Sequence, residues 1–285
     1  MIFDIVTLFS PIIEAVIQNG VIGQAYKKGI FELKFHNPRT FTNDIHRTVD
    51  DRPFGGGDGM VMLAEPWAKA IEEIVSAVNS GSGSESVSGS KKPWVVFLSP
   101  QGQTLDVKKI DQLKEKKHLV LICGRYSGLD QRVINSFVDE EISIGDYVLS
   151  GGELAAAVLV DSVVRQLPGV LGNSQSVEVD SFSLQMKGRL EAPVFTRPRD
   201  FVDQSVPEIL LSGNHDKIEK WREKVSFFVT LKKRPDLLSA DRLSRVEKKA
   251  YADFWLQLSN AEKESLGLVG LNEMVLNEWF GDLLS

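Results

Sequence analysis

Leu119-Val120-Leu121-Ile122-Cys123-Gly124-Arg125-Tyr126-Ser127-Gly128 sets five apolar residues, two of them β-branched, against a turn holding two glycines. A short continuous apolar run bounded by turn signals suits a strand buried on both faces of a sheet. Trp94-Val95-Val96-Phe97-Leu98 repeats the pattern and leads into Ser99-Pro100-Gln101-Gly102. A third segment of this kind is Ile144-Gly145-Asp146-Tyr147-Val148-Leu149-Ser150-Gly151-Gly152-Glu153. Working outward, residues 2–9 and 31–35 read as further strands. Residues 11–18, 21–28, 65–78, 130–137 and 153–166 read as helices, with Pro66 suited to a first helical turn. Strands alternating with helices predict an α/β domain with a mostly parallel sheet. From Asn214 onward the chain reads as helical, including residues 218–231 and 241–258, and its last thirty residues form an acidic amphipathic end expected to pack on the body.

In a parallel α/β sheet, ligands sit outside the carboxyl ends of the strands. Each glycine segment alone is an ordinary turn. Three of them, each after a strand-like run, point to one pocket in which backbone N–H and C=O groups read an adenine edge and a ribose. None matches G-x-G-x-x-G, so a dinucleotide site is not supported. A fourth glycine segment, Arg52-Pro53-Phe54-Gly55-Gly56-Gly57-Asp58-Gly59-Met60, permits close backbone approach to a partner or a tight turn, with equal weight. No Gly-Lys-Ser/Thr follows it, so it is not a phosphate-binding P-loop.

The chain has 285 residues and a net charge of -6. An acidic balance argues mildly against nucleic acid, whose binding leaves a basic footprint. The charge is uneven, however. Residues 250–285 hold six acids and one base, a charge of -5, which leaves about -1 for all the rest. Between Asp216 and Lys249, eleven Lys or Arg face six Asp or Glu, enough for a local basic face. Within it, Lys232-Lys233-Arg234 reads either as a solvated helix end or, with slight preference, as a phosphate contact. No apolar run approaches the length of a membrane span, and the N-terminus lacks the basic start and apolar middle of a secretion signal. The single cysteine, Cys123, lies in an apolar run and reads as a buried structural thiol. A cytoplasmic protein is expected. The four histidines show no metal-ligand spacing.

With these segments in place, the sequence closely resembles the bacterial tRNA (guanine-N1)-methyltransferases of the SPOUT superfamily, from Met1 to about Leu238. The resemblance is carried by Asn37-Pro38-Arg39, His46-Arg47-Thr48-Val49-Asp50-Asp51-Arg52-Pro53, the glycine run to Met62 and the three loops. It continues through Asp161-Ser162-Val163-Val164-Arg165, Pro168-Gly169-Val170-Leu171-Gly172, Asp180-Ser181-Phe182, Thr196-Arg197-Pro198 and Leu211-Ser212-Gly213-Asn214-His215. It implies a parallel α/β sheet tied in a deep trefoil knot, followed by a small helical C-terminal domain. Residues 1–172 would form the knotted cofactor-binding domain, with a flexible Ser/Gly insert at 79–90. Residues 173–190 would be the interdomain linker, and 191–285 a helical tRNA-binding domain ending in the acidic tail.

By the same match, S-adenosylmethionine would be bound by Phe97, Ser99, Pro100, Gln101, Gly102, Gly124, Tyr126, Ser127, Ile144, Gly145, Tyr147, Leu149, Gly151, Gly152 and Ala155. Asp180 matches the family's general base and Arg165 the residue that aids transfer at the guanine. From spacing alone, Asp180 is better read as a loop or cap residue and Arg165 as a surface charge; the resemblance reverses both. RNA contacts would fall on Asp50, Gly59, Arg197, Ser212, Asn214 and His215. The family acts on the guanine 3′ of the anticodon, as a homodimer whose active site lies between the chains. It uses a divalent ion, usually Mg²⁺, for which no ligands can be assigned here. The chain departs from the family at Ser127, where glutamate is common, at Ala155, where proline is common, and at Phe97 and Phe195, where tyrosine is frequent. Asp58 stands where a small residue is usual. The insert and the tail after about Leu238 read as additions to the common length.

Overall fold

The computed structural model describes residues 1–79, 92–172, 179–238 and 243–284. The Ser/Gly insert, apart from Asn79, and the first part of the expected linker lie outside them. The chain divides into two compact units, Met1–Ser174 and Gln175–Ser285.

The first unit runs β1 (Ile2–Val6), α1 (Ser10–Ile17), α2 (Gly20–Lys27), β2 (Glu32–His36), β3 (Asp50–Asp51), β4 (Val61–Met62) and α3 (Ala64–Asn79). It continues with β5 (Trp94–Thr104), α4 (Val107–Lys114), β6 (His118–Cys123), α5 (Gln131–Phe137), β7 (Glu140–Ser143) and α6 (Glu153–Val164). Five strands form one sheet in the order β2-β1-β6-β5-β7, all pairs parallel. β6 lies at its centre and every one of its residues is buried, which is why its sequence is apolar without alternation. Phe3, Ile5, Leu119, Leu121 and Cys123 share one core with α1 and α6. Val6, Val120 and Ile122, of opposite parity, pack with Trp67, Ile71 and Ile74 of α3. Helices therefore cover both faces, and each such fully buried apolar side chain contributes about 2 kcal/mol.

Two differences from the sequence reading have physical causes. β5 does not stop at Leu98. Its pairing with β7 breaks there and resumes at Gln103, so Ser99–Gly102 bulge out of a longer strand. Helix α4 was not expected, and the strand-like run before the third loop, to which the sequence reading gave no bounds, is β7. β7 has only four residues, two of them glutamates, and α4 is polar except for one buried stripe.

The second unit contains a short hairpin, β8 (Asp200–Phe201) and β9 (Gln204–Ser205). Among the described residues four α-helices follow: α7 (His215–Lys233), α8 (Arg245–Gln257), α9 (Asn260–Ser265) and α10 (Glu273–Phe280). Phe227 and Phe228 of α7 sit at the middle of an aromatic core with Tyr251, Phe254, Trp255, Trp279 and Phe280. α8 and α9 each open with a capping box, Ser244 with Glu247 and Ser259 with Glu262. The segment 179–190, read from sequence as the end of a linker, belongs to this unit. The Lys232-Lys233-Arg234 run is partly committed within the protein. Lys232 Nζ donates to the carbonyls of Gly267 and Val269, both at 2.7 Å, and Arg234 forks onto Asp236.

Candidate active site

The three glycine segments converge on one cavity of about 430 Å³, from the bulge within β5 and from beyond the carboxyl ends of β6 and β7. Phe97, Ser99, Pro100 and Gln101 line it from β5, and Gly124, Tyr126 and Ser127 from the turn after β6. Ile144, Gly145, Tyr147, Leu149, Gly151, Gly152 and Ala155 close it from the segment between β7 and α6. Of the residues expected to meet the cofactor, Gly102 alone is outside the lining. Its Cα lies against the β7 backbone, where an added Cβ would stand 2.4 Å from the Glu141 carbonyl carbon and the Ile142 nitrogen.

Glycines are needed here because backbones and rings approach closely. A Cβ on Gly124 would meet the Phe97 ring at 2.8 Å. One on Gly152 would meet Cys123 Cα at 2.8 Å and Gly124 N at 2.9 Å. Gly152 N donates to Gly124 O at 2.7 Å, joining the second loop to the third. Gly145 has φ +144 with the Tyr147 ring folded over it. The glycine run reaches the same place: Ser127 N donates to Met60 O at 2.9 Å, and a Cβ on Gly59 would lie 2.5 Å from Ser127 Oγ. Ser127, one of the residues that depart from the family pattern, thus abuts Gly59.

One charged pair holds the rim. Sequence reasoning missed it, because Arg125 and Glu153 are 28 positions apart and each has an ordinary local reading. Glu153 is 1% exposed and accepts from Arg125 and from Thr7 Oγ1. Arg125 also lies over the Phe9 ring, 4.2 Å from its centroid. Burial pushes the Cys123 thiol well above its usual range, Glu153 adds to this and Arg125 partly offsets it. A thiol so held is not a nucleophile. The lining holds a single basic side chain, Arg125, already committed to Glu153. The pocket thus suits a ligand without phosphates, and its volume is ordinary for a small-molecule site. Its backbone-rich, aromatic lining fits S-adenosylmethionine. Among the described residues no group of three or more His, Cys, Asp or Glu is disposed to hold a metal ion, so no step is assigned to Mg²⁺.

The remaining expected residues are placed as follows. Arg165 is the half-buried C-cap of α6. Asp50 begins β3 opposite Met62. In the second unit, Asp180 is half-buried in a turn, its carbonyl accepting from Ser183 N at 3.1 Å. Arg197 lines a groove with Phe195, Arg199 and Phe201. Ser212 Oγ donates to Ile209 O, Asn214 caps α7 by accepting from Lys217 N at 3.1 Å, and His215 opens that helix, exposed. No helix among the described residues is long and apolar enough to cross a membrane.

Comparison with known proteins agrees with this geometry. The family described as tRNA (Guanine-1)-methyltransferase TrmD matches residues 1–240. A protein of Aromatoleum aromaticum is 46% identical over 252 residues, covering 88% of this chain and 92% of its own length. One of Pseudoalteromonas atlantica is 44% identical over 271 residues, 95% of this chain and 97% of its own. One of Nitrosomonas europaea is 51% identical over 237 residues, 83% of this chain and 84% of its own. Each is named tRNA (guanine-N(1)-)-methyltransferase. The Pseudoalteromonas alignment leaves too few residues uncovered to omit everything after Leu238, so the tail is not wholly an addition of this chain. With a family match over residues 1–240 and relatives this similar over most of the chain, the chain belongs to the TrmD family of tRNA (guanine-1)-methyltransferases.

Proposed function

We propose that the protein transfers the methyl group of S-adenosylmethionine to N1 of the guanine 3′ of the tRNA anticodon, position 37. The observation that carries this reading is the convergence of the three loops on one cavity with no uncommitted basic group. When bound there, S-adenosylmethionine supplies an already activated sulfonium methyl, so no covalent enzyme intermediate is needed. The cavity residues named above would hold it, with Gly102 shaping the strand behind them and the three loops forming the trefoil knot of the family.

Guanine N1 carries a proton at neutral pH and is a poor nucleophile. A base must take that proton and a positive group must steady the charge growing on O6. Asp180 is proposed as the base and Arg165 as the positive group. The target base would leave its stack to reach the pocket, with Asp50, Gly59, Arg197, Ser212, Asn214 and His215 as RNA contacts. Residues 1–172 would then be the cofactor domain, and 191–285, with the segment 179–190 that packs on it, the tRNA-gripping domain. A homodimer in the cytoplasm is part of the proposal. Exposed Leu154 and Val158, one turn apart on α6, support it as an apolar stripe available to a second copy.

The test is methyl transfer from labelled S-adenosylmethionine to tRNA transcripts with and without guanine at position 37, using wild type and Asp180→Ala. Transfer to the guanine-bearing transcript only, lost in the variant, is expected. Transfer indifferent to that guanine would point to a knotted methyltransferase acting elsewhere on RNA. No cofactor binding by calorimetry would point to a non-catalytic RNA-binding relative.

A further inference from the structure

Asp180 opens a closed loop. Ser181 N donates to Glu191 Oε1 at 2.9 Å, and Glu191 N donates to Ser181 Oγ at 3.0 Å. Inside this clasp, Phe182 N donates to Arg189 O at 2.8 Å and Gly188 N to Ser183 O at 3.0 Å. Phe182 and Lys187 both have left-handed backbones, φ +71 and +55. Non-glycine residues hold that conformation only where surrounding contacts fix it.

The fixing contacts lie behind the loop. Leu190 N donates to Thr230 Oγ1 at 2.9 Å, and Leu190 O accepts from Ser226 Oγ at 2.5 Å, both from α7. Arg189 is 2% exposed, an unusual place for a guanidinium. It lies over the rings of Phe227 and Tyr251, at 5.2 and 5.9 Å, and its Nη1 donates to Tyr251 Oη at 3.0 Å. Tyr251 stands on α8, outside the stretch matched by the family. An apolar side chain at position 189 would fill the same space at less desolvation cost. A buried guanidinium does more, because aromatic faces and a directed hydrogen bond fix its orientation as well as its depth.

We propose that Arg189 and Tyr251 are positioning residues for Asp180: they seat the loop so that its carboxylate is presented at one place. The proposal rests on the reading of Asp180 as general base. A base must come within hydrogen-bond reach of the proton it takes, and a displacement of about 1 Å can cost about a hundredfold in rate. The segment beyond the family match would thereby serve catalysis through the placement of Asp180.

The experiment uses the full chain with Tyr251→Phe, Arg189→Lys, their double variant and Asp180→Ala. It measures single-turnover methyl transfer to the guanine-bearing transcript across pH, with S-adenosylmethionine and tRNA affinities measured separately. Tyr251→Phe removes one oxygen and keeps the ring, so it reads even where Arg189→Lys fails to fold. The expected result is a loss of about tenfold in single-turnover rate for Tyr251→Phe at unchanged affinities, a scale set by misplaced catalytic groups. Where Arg189→Lys folds, the double variant should be no slower than the worse single. Rates within twofold of wild type, with only a lowered melting temperature, would overturn the proposal and leave the Asp180 reading intact. Full activity in Asp180→Ala would overturn both, and is distinguished by that variant alone.

Discussion

Arg125 grips the Glu153 carboxylate with two nitrogens: Nε lies 3.1 Å from both oxygens and Nη2 3.1 Å from Oε2. The pair ties the loop after β6 to the start of α6, across the isolated bridge between Arg125 and Gly151. Thr7 Oγ1 donates to the same carboxylate at 2.9 Å, so the end of β1 joins the clamp. Removing one member of a buried pair leaves the other's charge uncompensated. Glu153→Gln should therefore destabilise the first unit by about 3 kcal/mol, the lower end for such pairs because Arg125 reaches solvent. It should also weaken S-adenosylmethionine binding at least tenfold, since the clamp sets the spacing of two cavity loops. Urea unfolding and calorimetry check the two effects. Unchanged cofactor affinity would mean the clamp serves the fold alone.

Asp4 bridges two histidines, with Oδ1 2.6 Å from His36 Nε2 and Oδ2 2.6 Å from His118 Nε2. Burial by itself would raise its pKa. Hydrogen bonds from His118 and His36, with their charges when protonated, overcome this and bring it from 3.8 to about 2. A depressed carboxylate pKa contributes stability that is present above the unfolded value and lost as pH falls through the folded one. The window is therefore about pH 4 down to about 2, and the contribution is about 2 kcal/mol. Asp4→Asn should unfold more easily at neutral pH and lose less stability than wild type on acidification below pH 4. Melting curves across pH check this, and parallel profiles for the two proteins would refute it.

Gly152 tests the pocket from another side. The atoms an added Cβ would strike are backbone, Cys123 Cα and Gly124 N, and both belong to buried or tightly paired segments that cannot yield cheaply. Gly152→Ala should lose cofactor binding by tenfold or more and lower the melting temperature. Gly172→Ala, where a Cβ meets nothing within 4 Å among the described residues, is the matched control. Equal cofactor affinities in the two variants would show that the loops relax.

The parallel sheet was legible because β6 and the first half of β5 are buried on both faces, and a continuous apolar run has few other uses. The loops were legible as a pocket because three glycine segments each follow a strand. The bounds of β7 were not, since Glu140 and Glu141 mask a short strand whose partners are all non-local. Nor was the Arg125–Glu153 clamp, because a long-range ion pair leaves no periodic trace. The aromatic core of the second unit was only half visible: residues 218–231 read as helical, but nothing local says that Tyr251 and Phe280 close on Phe227. The roles proposed for Asp180 and Arg165 came from resemblance rather than spacing, and spacing alone favoured a turn and a surface charge.

The aromatic core also decides what becomes of the chain's end. Tyr251, Leu258, Leu266, Leu268, Leu276 and Phe280 are buried in the cluster around Phe227 and Phe228, and all lie beyond residue 240. At about 2 kcal/mol for each buried side chain, their loss removes about 12 kcal/mol. That is comparable with the whole stability of an ordinary domain, about 5–15 kcal/mol. Lys232 would lose its acceptors on Gly267 and Val269 at the same time. A chain ended after residue 240 should therefore have an unfolded second unit, cut rapidly by protease near Phe227 and Phe228, while the first unit still binds S-adenosylmethionine. Limited proteolysis with mass spectrometry, followed by calorimetry, separates the two units. A truncated chain that resists protease and methylates tRNA normally would show that α7 finds its core elsewhere.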